Sequence, residues 1–74
     1  MARHVVESEV QGRVWKIEVS VGDRVEEGDV LIILESMKME IPVESPVAGS
    51  IAELLVTLEE AVEEDQLLAV LESG

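Results

Sequence analysis

Cysteine, tyrosine and phenylalanine are absent from this chain of 74 residues, and a single tryptophan, Trp15, is its whole aromatic content. The lack of cysteine excludes disulfides, thiolate metal sites and thiol catalysis, and points to a reducing, cytoplasmic setting. The lack of aromatics removes the stacking surfaces of single-strand nucleic-acid binders. Cations are scarce too: 5 Lys and Arg stand against 17 Asp and Glu, a net charge of −12. Such a chain repels a phosphate backbone, so nucleic acid is not an expected partner. The acidity reads instead as a solvated surface that keeps a small protein monomeric. The longest apolar run, Val30 to Leu34, falls far short of the roughly 20 residues of a spanning helix. No charged-then-apolar signal segment opens the chain, so neither membrane nor export is expected. His4 is the only histidine, which leaves no catalytic triad and no zinc cluster. The G-x-S-x-G and phosphate-loop patterns are missing as well.

What is present is aliphatic. Residues 1–74 are expected to form one small domain whose stability rests on a regular core. The hydrophobic fraction of 47%, almost wholly Val, Leu, Ile and Ala, suits that. Sliding the chain by 37 positions lays residues 12–35 on 49–72, with Gly12/Gly49, Val19/Val56, Val25/Val62, Glu26/Glu63, Glu27/Glu64, Leu31/Leu68, Leu34/Leu71 and Glu35/Glu72 identical. The repeat resolves an ambiguity. Residues 53–72 alone read as a helix by propensity, but in the partner segment Ile17, Val19 and Val21 alternate with Lys16, Glu18 and Ser20, the period of a half-buried strand. Gly22-Asp23 and Gly28-Asp29 mark turns. The expected strands are 5–8, 12–19, 24–26, 30–35, 39–43, 49–56, 61–63 and 66–71. Two similar four-strand halves, neither able to bury its face alone, predict an all-β, flattened eight-stranded barrel or sandwich with a quasi-twofold relation.

The most informative segment is Glu35-Ser36-Met37-Lys38-Met39-Glu40. It sets one of only two lysines between two of the three methionines. Methionine usually fills core gaps, whereas a lysine is costly to bury, so Lys38 is expected to be presented rather than packed. The apolar runs 30–34 and 39–43 leave room only for a tight reversal, with Lys38 at its tip. Tight hairpins favour Asn-Gly because their central residues need positive φ, and Met37-Lys38 departs from that rule. Departures of this kind are expected at functional sites.

Glu35-Ser36-Met37-Lys38-Met39-Glu40 with Ile41-Pro42-Val43 resembles the attachment site of biotinyl carrier domains, in the biotin/lipoyl attachment family. Ser45-Pro46-Val47-Ala48-Gly49 and Val21 to Asp29 resemble the family's connecting segments, so the likeness covers roughly Val5 to Glu72. It implies the single-hybrid-type barrel with the modified lysine at a hairpin tip. It further implies biotin in amide linkage to Lys38, placed there by a biotin protein ligase. A biotin carboxylase and a carboxyltransferase would be the partners between which a carboxyl group is shuttled, and the chain itself would be a non-catalytic carrier. Met37 and Met39, and more weakly Glu35, Ser36 and Glu40, are expected to be read by the ligase and the carboxylase. Lipoyl domains share the barrel and the hairpin lysine, so lipoate is the alternative cofactor, although their lysine typically follows Asp and precedes Ala. A cofactor-free β-barrel interaction module is the other alternative.

The second copy departs from the first. Glu59-Glu60-Ala61 stands where Gly22-Asp23-Arg24 stood, and Asp65 replaces Gly28, which leaves the geometry of the second set of turns open. No loop is inserted between Trp15 and Val30, so the thumb of some acetyl-CoA carboxylase carriers is expected to be absent. Glu26-Glu27 and Glu63-Glu64 recur at equivalent positions and read as solvated turns rather than acid/base pairs. Asp23 to Asp29 lacks the ligand alternation of a calcium loop. Trp15 reads as a core or barrel-end filler, because its repeat partner is the small Ala52.

Overall fold

The computed structural model describes residues 2–73. It contains eight strands: β1 Ala2–Glu7, β2 Gly12–Ile17, β3 Arg24–Val25, β4 Val30–Ser36, β5 Met39–Glu44, β6 Gly49–Leu54, β7 Ala61–Val62 and β8 Leu67–Ser73. Residues 53–72, helix-like by propensity, fold as strand and turn, as the repeat requires. Every strand from β5 to β8 begins and ends 37 residues after its mate among β1 to β4. The expected strands place the start of β1 at Val5 and the end of β2 at Val19. In the structure β1 starts at Ala2, held by pairing with the remote β8, and β2 stops at Ile17. Val21, placed on the buried side of that alternation, is 61% exposed in the following turn.

The two sheets have strand orders β1-β8-β6-β3 and β5-β4-β2-β7. The sandwich arm of the expected architecture is therefore the correct one, since the sheets are not closed into a barrel. Each sheet draws two strands from each half, so the halves interlock instead of stacking as two separate layers. Bulges fall at mated places: Trp15 and Ala52 are the extra residues opposite β4 and β8, and Leu31 and Leu68 opposite β5 and β1. The core is built from mates too. Val14 with Ile51, Val25 with Val62, Leu31 with Leu68 and Leu34 with Leu71 are all buried. Burial of this aliphatic set is the main favourable term for a chain with no disulfide.

Trp15 corrects the sequence reading. It is 44% exposed, because the bulge interrupts strand alternation and turns its side chain outward beside Lys16 while Val14 stays in the core.

Turns lock one half to the other. Gly22 N–H donates to Ile51 O at 2.8 Å, and Glu59 N–H donates to Val14 O at the same distance. Gly28 N–H reaches Ser45 O, and Asp65 N–H reaches Ser8 O. Gly22 and Gly28 have φ of 95° and 91°, while Glu59 and Asp65 have 70° and 69°. The second set of turns thus keeps the first set's geometry without glycine. Gly12 and Gly49 mark close approaches, since a Cβ on either would collide with the carbonyl oxygen of Glu35 or Glu72.

The described residues measure 36 × 17 × 17 Å. Four strands about 4.8 Å apart span the short dimension, so the long one runs along the strands. β3 pairs with Gly49 and Ser50, beside Glu72, and lies just before Val30, where β4 starts. The β4–β5 connection and the paired residues Ala2 and Ser73 consequently sit at opposite ends of the molecule.

Candidate functional site

Ser36 pairs with Met39 and Glu35 with Glu40 across β4 and β5, which leaves two residues to make the reversal. They are Met37 and Lys38, with φ of 52° and 64°. Positive φ at both central positions is the type I′ pattern, whose twist matches that of paired strands. Neither residue is glycine or asparagine, so the turn carries strain that an Asn-Gly sequence would avoid. Its consequence is geometric. Met37, Lys38, Met39 and Glu40 are all exposed, with Met37 at 92% and Met39 at 65%, so the methionines do not serve as packing residues.

The base of the turn is anchored. Ser36 Oγ donates to Gln11 O at 2.8 Å, fixing the end of β4 to the β1–β2 connection. Arg13 Nη2 lies 3.1 Å from Glu35 Oε1, which offsets the direct juxtaposition of Glu35 and Glu40 across the strands. Both partners are partly solvated, so this ion pair contributes under about 1 kcal/mol. The two ion pairs of the described residues are Arg13–Glu35 and Arg3–Glu53, and neither involves Lys38. An open groove of about 970 Å³ runs beside the turn, lined by Gln11, Arg13, Ser36, Met37, Glu63 and Glu64 among others. It shows that the β7–β8 turn flanks the hairpin.

Lys16, the other lysine, lies within β2. Glu26, Glu27, Glu63 and Glu64 are exposed turn residues. His4 lies inside β1, its Nε2 2.9 Å from Ser73 Oγ, at the end away from Lys38. No group of three or more His, Cys, Asp and Glu among the described residues is arranged to hold a metal, and no helix there is long and apolar enough to cross a membrane. Sequence reasoning missed the buried Ser8 and Ser45, whose Oγ atoms donate to Val10 O and Val47 O at 2.6 Å. The signal was present, because Ser-x-Val recurs at the repeat spacing in Ser8-Glu9-Val10 and Ser45-Pro46-Val47.

The hairpin can offer a primary amine, on a rigid stem and clear of neighbouring groups, to an external enzyme. A family model described as "Biotin-requiring enzyme" matches residues 3–71. The chain belongs to that family. As a biotinyl domain it is 50% identical over 38 residues to a biotin/lipoyl attachment protein of Bacillus subtilis, an alignment covering 51% of this chain and 52% of that protein. It is 55% identical over 38 residues to a biotinylated protein TB7.3 homolog of Mycobacterium leprae, covering 51% and 54% respectively. The chain thus spans about half the length of these relatives. The urea carboxylase structure of Kluyveromyces lactis superposes with a TM-score of 0.91 at 38% identity, covering 97% of this chain and 6% of that one. A single-chain, multi-domain long-chain acyl-CoA carboxylase superposes with a TM-score of 0.87 at 26% identity, covering 92% and 7%. This is a biotinyl domain similar to those of carboxylases.

Proposed function

We propose that residues 1–74 form one biotinyl domain that carries biotin covalently on Lys38 and shuttles a carboxyl group between a biotin carboxylase and a carboxyltransferase. The observation that carries this reading is the two-residue turn. Positive φ at Met37 and Lys38 projects an unpartnered amine from one end of the molecule, in a chain of a biotin-requiring family. Names such as "biotinylated protein" and "urea carboxylase" among the relatives support biotin over lipoate and carboxylases as partners.

A biotin protein ligase would activate the biotin carboxyl as an acyl-adenylate at the expense of ATP. Lys38 Nζ, once neutral, attacks the carboxyl carbon; the C–N bond forms, the C–O bond to AMP breaks, and the amine proton leaves to solvent or a ligase base. Held there, biotin supplies a ring nitrogen able to accept and release carboxylate. The chain's part is to position. The β4–β5 stem holds the attachment point away from the body, and tethering raises the local concentration of the carried group at each partner site. Met37 and Met39 give a compliant apolar contact for the enzymes that read the hairpin, with Glu35, Ser36 and Glu40 as lesser contacts. The domain acts as a monomer in the cytoplasm and does no chemistry of its own.

The test is intact mass and peptide mapping after incubation with a biotin ligase, biotin and ATP. One biotin is expected on Lys38 and none on Lys16, taking the formal net charge from −12 to −13 by loss of one amine charge. A label on Lys16, streptavidin binding by Lys38→Arg, or a lipoyl mass increment from cells that can add either group would overturn the proposal.

A further inference from the structure

The pseudo-twofold gives the molecule an internal control, because each position at the lysine end has a mate 37 residues away at the far end. Large exposed apolar side chains are shared unevenly between the halves: Val5 and Val21 are the ones away from Lys38, Val21 being 61% exposed as the mate of Leu58. Leu55, Leu58, Leu67 and Met39 are between 41% and 65% exposed; Leu67 and Met39 lie at the lysine end, and Leu55 and Leu58 lie further down the same half. Their mates are Glu18, Val21, Val30 and Ala2. Trp15 adds to this surface on the flank, where its mate is Ala52. The β6–β7 turn bearing Leu58 is fastened along β2 beside Trp15 by Glu59 N–H to Val14 O and Val14 N–H to Glu60 O. Acidic residues ring the same end: Glu59, Glu60, Glu63, Glu64 and Asp65 occupy places whose mates are Gly22, Asp23, Glu26, Glu27 and Gly28.

We infer that the flank formed by Trp15 and Leu58, together with the hairpin, is a docking surface for the acylating ligase. The inference rests on the reading of Lys38 given above. Area supports the extension beyond the tip. The turn residues Met37 and Lys38 alone cannot supply the about 500–600 Å² that even a weak specific interface covers on each partner. A protein engaging Lys38 must therefore descend the sides, and the apolar side chains stand there. Reach selects the ligase. It must bring its acyl group to a bare lysine about 6 Å long, and so close against the body, while enzymes that act after attachment meet a longer arm and can work from further out. The surface fits a ligase with an apolar patch bordered by basic residues, complementary to the acidic ring.

The experiment measures steady-state biotinylation by a purified biotin protein ligase, with unmodified chain as the varied substrate. Leu58→Gln and Trp15→Gln are compared with the mated control Val21→Gln. All three sites are exposed, and circular dichroism with thermal melting verifies the fold of each variant. Leu58→Gln and Trp15→Gln should each raise KM roughly fivefold to tenfold, a typical loss for one apolar contact in an interface, with kcat within twofold of wild type. Val21→Gln should leave both constants unchanged. Equal effects at Leu58 and Val21, or no effect at Leu58 and Trp15, would overturn the inference while leaving Lys38 as the acceptor. Failure of the wild-type chain to be biotinylated would instead remove the reading on which the inference stands.

Discussion

Lys38 occupies a backbone conformation that glycine would hold at lower cost, and replacing it measures that cost directly. At φ 64° an L-residue lies roughly 1–2 kcal/mol above its right-handed alternatives. Glycine removes the penalty but loses about 0.5–1 kcal/mol more conformational entropy on folding. Lys38→Gly should therefore stabilise the domain by about 0.5–1 kcal/mol, which for a chain of this size raises Tm by about 2–8 °C. The exposed side chain takes part in neither described ion pair, so little is lost in exchange. Lys38→Ala is the control. It removes the same amine and the same charge but keeps Cβ, and should show no gain. Far-UV circular dichroism and calorimetry, run on both variants at one protein concentration, give the comparison and test the two-state assumption. A Tm for Lys38→Ala equal to or above that of Lys38→Gly would refute the strain argument. The expected result is a hairpin more stable without its lysine than with it.

Glu59, at φ 70°, offers a parallel case: Glu59→Gly should exceed Glu59→Gln in stability by about 0.5–1 kcal/mol, and Gly22→Glu at the mated turn should lose a similar amount, both read by urea titration. Gly49→Ala places a methyl against the Glu72 carbonyl oxygen in the buried β6–β8 seam. It should cost about 2 kcal/mol by the same titration, and a loss under about 0.5 kcal/mol would mean that the strands separate more easily than the packing implies. Met37→Leu and Met39→Leu should stay within about 0.5 kcal/mol of wild type yet change turnover by the ligase or the carboxylase. Wild-type rates with both enzymes would show that neither methionine is read.

The repeat made most of the fold legible. A weak strand such as Ala61–Val62 could be assigned because Arg24–Val25 lies between glycine turns, and the helical composition of residues 53–72 was outweighed by the alternation in their mates. What stayed hidden depends on remote partners. Ala2, Arg3 and His4 have no strand pattern of their own and become β1 only through Ser73, Glu72 and Leu71. Trp15 was misread because a bulge shifts the phase of alternation, and nothing in Val14-Trp15-Lys16 announces one. The turn at Met37-Lys38 was legible as a tight reversal, since the apolar runs on either side left no other residues for it. Its positive φ values were implied by the tightness. The ring of acidic and leucine-bearing turns beside it was not, because adjacency of β7 to β2 is a fact of topology and not of spacing.

The pseudo-symmetry separates the connections that serve the fold from the one that presents the lysine. The β2–β3 and β3–β4 turns each have a copy after β6 and β7, and the copies exchange backbone hydrogen bonds with the opposite half. The β1–β2 and β5–β6 connections carry the buried Ser8 and Ser45 in matching roles. A change in any of these turns alters a bond that both halves need, because each sheet contains two strands from each half. The β4–β5 turn differs. Its mated place is the pairing of Ala2 with Ser73, not a second turn, and none of the described cross-half bonds uses Met37 or Lys38. The turn is thus the connection whose residues can be set by external recognition without disturbing the reciprocal bonding of the sandwich. Two strained, exposed, chemically distinctive side chains occupy it, where an Asn-Gly pair would satisfy the backbone better. Stability therefore gives no reason for Met37 and Lys38 at this position, whereas presentation of an amine between two apolar contacts does.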